Sequence, residues 1–91
     1  MTTNSAIKEL TQIPGIGKSA AKDLLSIGIK NISDLKGKNA EYMYDLLNEV
    51  SGFTQNMCFI YAFKCAIYYA ETPKEKQEPE KLQWWYWKGK N

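Results

Sequence analysis

The residues best suited to chemistry lie in one stretch, Pro14-Gly15-Ile16-Gly17-Lys18-Ser19, with Lys22 one helical turn further on. Gly15 and Gly17 suit a tight turn at positive backbone angles, and Lys18 opens what reads as a helix running to about Ile27. The first amides of a helix lack an intrahelical acceptor, and the helix dipole adds partial positive charge at that end. Such a start suits an anion. A phosphate oxygen accepts from the amides of Gly15, Gly17 and their neighbours, while Lys18, Ser19 and Lys22 surround it with two charges and a hydroxyl. Ile16, between the glycines, reads as tucking back between the flanking helices and holding the shape of the turn. The competing reading of the same residues is a tight corner between two helices that holds no ligand.

Other chemistry finds little material. Without histidine the chain lacks the usual general base near neutral pH and the commonest zinc ligand. All 12 cationic residues are lysine, which favours point contacts with phosphate over the bidentate base reading that arginine provides. Cys58 and Cys65 fall about 10 Å apart along one helix, too far for a disulfide, and two thiols alone do not complete a metal shell. Asp23, Asp34 and Asp45 sit on separate segments. Lys64, amid apolar neighbours, reads as a lysine whose stem lies on apolar surface and whose ammonium reaches water rather than as a nucleophile. The expectation is therefore a protein that is not an enzyme, with no cofactor and no metal.

The elements that must position this turn are bounded by composition. A chain of 91 residues closes one core, and a hydrophobic fraction of 44% with six Tyr, three Phe and three Trp argues against disorder. The net charge of +2 is too small to announce a polyanion partner, but it is unevenly spread. Residues 1–38 carry six lysines against Glu9, Asp23 and Asp34, while residues 39–91 carry six against seven acids. The basic side is thus the one bearing the glycine turn. The polar start Met1 to Ser5 does not read as a signal peptide. Met57 to Ala70, broken by Lys64, is shorter than the roughly 20 residues of a membrane span. A soluble, cytoplasmic protein without membrane contact is expected.

Along the chain, Ser5 reads as the cap of a helix from Ala6 to Gln12 that Pro14 ends. Ile32 to Lys36 reads as a short connecting helix broken by Gly37, and Asn39 as the cap of a helix from Ala40 to Val50 closed by Gly52. Thr54 would cap the longest helix, Gln55 to Ala70, which is apolar nearly all round and so central. On it Cys58, Ala62 and Cys65 form a stripe of small residues. A shift of 37 residues aligns Leu10, Ile13, Gly15, Ile16 and Ala21 with Leu47, Val50, Gly52, Phe53 and Cys58. The second copy has Ser51, Thr54 and Gln55 where the first has Pro14, Gly17 and Lys18, so it keeps the packing positions and loses the charge. Residues 71–79 read as a charged linker, and residues 80–91 as a last helix or turn carrying Trp84, Trp85, Tyr86 and Trp87. These indoles could plug the core, stack on unpaired bases or meet a partner, with the core as the default.

The segment Leu10 to Leu25 resembles the helix-hairpin-helix motif of DNA repair and recombination proteins. Leu10, Ile13, Ile16, Leu24 and Leu25 fall on its apolar positions, Gly15 and Gly17 on its glycines, and Ala21 on its small contact position. The whole chain also resembles a family of small bacterial proteins known as pathogenicity-locus or mitomycin-resistance proteins. That resemblance rests on Ile13-Pro-Gly-Ile-Gly-Lys-Ser, Ser33-Asp-Leu35, the stretch Cys58 to Ala70, and Trp84-Trp85-x-Trp87. Together these imply an all-α, five-helix tandem helix-hairpin-helix (SAM-like) domain over residues 1–70, with a degenerate second hairpin and a Trp-rich tail packing on it. The function implied is sequence-independent DNA binding at Gly15, Ile16, Gly17, Lys18, Ser19 and Lys22. The alternative is a protein-protein interaction module, adaptor or homo-oligomer, on the same fold.

Overall fold

The structure is a computed structural model and describes residues 3–88. Four α-helices follow in order, α1 (Thr3–Leu10), α2 (Lys18–Ser26), α3 (Ala40–Ser51) and α4 (Cys58–Glu71). Single 3-10 turns occupy Ile32–Leu35, Lys74–Lys76, Pro79–Leu82 and Trp84–Trp87, and there is no strand among the described residues.

Each helix end has a local cause. Gly28, at φ +90°, donates its amide to the Leu25 carbonyl while Ile29 donates to Leu24, which satisfies the last carbonyls of α2. Asn39 caps α3 by accepting from the Tyr42 amide at 2.9 Å. Gly52, at φ +81°, closes that helix. Ala40, Met43, Tyr44 and Leu47 then fall on one buried face of α3 at helical spacing.

Helix α4 is the central element, packed against α3, the 3-10 turn at Ile32–Leu35 and both C-terminal turns at Pro79–Leu82 and Trp84–Trp87. Its Phe63 is fully buried and joins Leu10, Ile13, Leu24, Leu35 and Leu47 in one core. Helix α1 packs on α2, and α2 on α3.

Four local differences from the sequence expectation have identifiable reasons. The connecting helix is a single 3-10 turn, because Asn31 caps the Asp34 amide at 3.0 Å and Lys36 already leaves the turn in an extended conformation. Helix α1 begins at Thr3, so Ser5 lies inside it rather than capping it. Helix α4 begins at Cys58 rather than Gln55. There the Gln55 amide is held at 2.7 Å by Asn48 Oδ1, and its carbonyl accepts from the Tyr44 hydroxyl, so the chain stays out of the helix through Asn56. The charged linker is pinned rather than loose. Gln77 Nε2 donates to the carbonyls of Tyr69 and Thr72 at 3.1 and 3.0 Å, and the Glu78 amide donates to the Tyr68 hydroxyl at 2.8 Å.

Candidate phosphate-binding turn

The loop between α1 and α2 reverses through Gly15, whose φ of +86° is the left-handed conformation that glycine adopts without steric cost. Ile16 is 4% exposed and donates its amide to the Ile13 carbonyl at 3.0 Å. It belongs to the core and can offer a ligand neither side chain nor amide.

Gly17 differs from the sequence expectation of a positive angle. It is extended, with φ −87° and ψ −176°, and occupies the N-cap of α2 without a side-chain cap. One left-handed residue reverses the chain, and the second glycine then directs its carbonyl into α2, where it accepts from the Ala21 amide at 2.9 Å. A Cβ placed on Gly17 would meet no atom within 4 Å. Neither dihedral nor packing demands glycine there.

The amides of Gly17, Lys18, Ser19 and Ala20 have no acceptor among the described residues. Gly15, Gly17, Lys18, Ser19 and Lys22 are all exposed. Beside them runs an open groove of about 460 Å³, lined by Asn4, Ile7, Lys8, Thr11, Lys18 and Lys22. Three lysines therefore line it, and none forms an ion pair among the described residues. Lys8 escaped the sequence argument, which followed the glycine motif. The signal was its place in the last turn of α1, which packs on α2 and brings it to the same groove as Lys18 and Lys22.

The second copy of the repeat is a control within the same chain. Gly52, at φ +81°, reproduces the left-handed turn of Gly15. At the start of α4, however, the Cys58 amide is held by Asn56 Oδ1 at 2.8 Å, Phe59 donates to the Asn56 carbonyl and Ile60 to Met57. These amides are satisfied internally, and no lysine stands at Gln55. The exposed large hydrophobic residues around this second turn are Val50, Phe53 and Met57.

Cys65 is buried, and burial pushes its thiol pKa up to about 11, while Cys58 is exposed. Among the described residues no group of three His, Cys, Asp or Glu side chains could hold a metal. Lys64 lies 3.5 Å from Glu41 rather than in an apolar pocket. Asp23 is half-buried, and desolvation raises its pKa. No helix among the described residues is long and apolar enough to cross a membrane.

The four aromatics of the tail divide in role. Trp87 donates its indole N–H to the Lys81 carbonyl at 3.0 Å and packs its ring on Tyr68 of α4, with centroids 5.9 Å apart. Trp84 is half-buried and Trp85 is 59% exposed, and the two meet edge to face at 5.9 Å.

Compared with known proteins, the chain matches over residues 3–91 the family model described as Cdd1, Pathogenicity locus. No curated protein and no solved structure matches it.

Proposed function

We propose, from the premise that this chain belongs to the Cdd1 pathogenicity-locus family, that it binds DNA through backbone phosphates, without reading sequence and without catalysis. In this reading α1, the Gly15–Gly17 loop and α2 form a helix-hairpin-helix, and α3 with α4 forms its degenerate partner in a tandem, SAM-like domain. The observation that carries the reading is the contrast between the two helix starts. The amides opening α2 have no internal acceptor, whereas those opening α4 are taken by Asn56 and Met57. Gly17 adds support, since a residue that the fold does not require to be glycine suits the close approach of a ligand to its backbone. Lys8, Lys18 and Lys22 supply charge around the same spot, and the absence of arginine agrees with contacts that ignore base identity.

One hairpin neutralising a few phosphates binds weakly, in the range of roughly 10⁻⁴ to 10⁻⁶ M expected of nonspecific contacts. Fluorescence anisotropy of labelled duplex DNA tests this. Gly17→Asp places a negative charge where the phosphate must sit and should strongly weaken binding while leaving the helical circular dichroism unchanged. Undiminished binding by that variant would sink the assignment.

The exposed Val50, Phe53 and Met57 favour a second role in protein contact. Sedimentation velocity checks it in its homo-oligomeric form. Self-association that Phe53→Asp abolishes would support it, and a monomer at all concentrations would remove it.

A further inference from the structure

Gly15 is shared by two different surfaces. On one side it leads into the unpaired amides and lysines at the start of α2. On the other, Pro14 and Gly15 form one wall of an open groove of about 370 Å³ whose opposite wall includes Leu82, Trp84 and Trp85. Gly15 and Trp84 also line an adjoining apolar groove of about 330 Å³, floored by Ala20, Phe59 and Ala62. An anion-binding backbone and a pair of accessible indoles thus meet at one residue.

The indoles there are not consumed by the fold. Trp87 anchors the tail through its bond to Lys81 and its contact with Tyr68. Trp84 and Trp85, by contrast, find no acceptor for their indole N–H groups among the described residues, and Trp85 is 59% exposed. An exposed indole with a half-buried one beside it, next to a cationic helix start, is complementary to a ligand that carries both a phosphate and a flat π-face within one unit. An unpaired nucleotide is that ligand. In duplex DNA the bases face inward, and the indoles would meet only sugar and phosphate.

We propose that the groove between Pro14–Gly15 and Trp84–Trp85 is a base-stacking site, so that the protein prefers single-stranded DNA to intact duplex. This rests on the phosphate-binding reading above. The phosphate 5′ or 3′ to the bound base sits on the α2 start, and the base stacks on the exposed Trp85 indole, with half-buried Trp84 as its edge-on neighbour. Stacking of a base on an aromatic side chain tolerates any sequence, in keeping with contacts that do not read bases.

The test compares three labelled probes of equal phosphate number by anisotropy: single-stranded oligo(dT), an abasic oligonucleotide and duplex. The expected result is oligo(dT) binding at least about fivefold tighter than the abasic strand. Trp85→Ala should erase that difference, Trp85→Phe should restore most of it, and duplex affinity should be untouched by either. Gly17→Asp should weaken all three probes. Equal binding of oligo(dT) and the abasic strand by the wild type, or a difference that survives Trp85→Ala, overturns the stacking site and leaves the phosphate reading standing. Failure of all three probes to bind overturns both.

Discussion

Two glycines one residue apart have opposite physical roles. Gly15 is required by its backbone, at φ +86°, where a Cβ collides with the chain's own carbonyl whatever space surrounds it. Gly17 is not, being extended with open space around its Cβ position. Gly15→Ala should therefore lower stability by about 1–2 kcal/mol. Gly17→Ala should cost no more than the fraction of a kcal/mol by which alanine is the poorer N-cap, roughly 0.5, yet, on the proposed phosphate contact, weaken DNA binding because its methyl would stand in the anion's path. Urea denaturation alongside anisotropy separates these outcomes, and a Gly17→Ala variant that is destabilised more than Gly15→Ala would contradict the assignment. The cysteines divide in the same manner. Cys58 should react with Ellman's reagent in the native state at pH 8, while Cys65, buried and with its pKa raised from 9.0 to about 11, should react only on unfolding. Between pH 9 and 11 the unfolded thiol has already lost its proton and the folded one has not, so Cys65 draws stability down as pH rises through that window. Cys65→Ala should flatten this part of the stability curve. The motif spelling already pointed to the glycine pair, but their division of labour was hidden, because dihedral angles depend on where the flanking helices go.

At the scale of elements, side chains reaching between segments decide where helices begin. Glu9 of α1 accepts from the Ile32 amide at 2.7 Å, tying the first helix to the 3-10 turn that carries Leu35 into the core. Glu9→Ala leaves that partly buried amide without its carboxylate and should cost about 1–3 kcal/mol, with Glu9→Gln recovering much of it. Thermal melts give the answer, and a loss well under about 0.5 kcal/mol would mean that water replaces the carboxylate at no cost. The tethers of Gln55 to Asn48 and Tyr44 act likewise, delaying α4 by three residues relative to its apolar pattern. Helix existence was legible in the spacing of Met43 with Leu47 and of Leu10 with Ile13. Helix starts were not, because Asn48, Tyr44 and Glu9 act on residues 7, 11 and 23 positions away, beyond what local periodicity reports.

Across the whole molecule, charge and tail complete the picture. Three lysines line the groove beside the α2 start, and on the proposed binding mode, with about two to four phosphates neutralised, the slope of log affinity against log salt should lie near −2 to −4. Isothermal titrations at several salt concentrations measure it, and a slope near zero would remove the electrostatic basis of the proposal. The Lys8→Ala variant should reduce the slope by about 1, although Lys8 lies outside the glycine motif. All-helical character, a single core and the glycine motif followed from the sequence by itself, because local periodicity, chain length and the conformational freedom of glycine are properties of short segments. Only tertiary structure decided that the first helix start keeps its amides open while the second closes its own, that Lys8 joins Lys18 and Lys22, and that Trp87 anchors the tail while Trp85 stays outside. Those outcomes depend on which segments meet, and the balance of burial, hydrogen bonding and chain entropy that sets such meetings is struck over the whole chain at once.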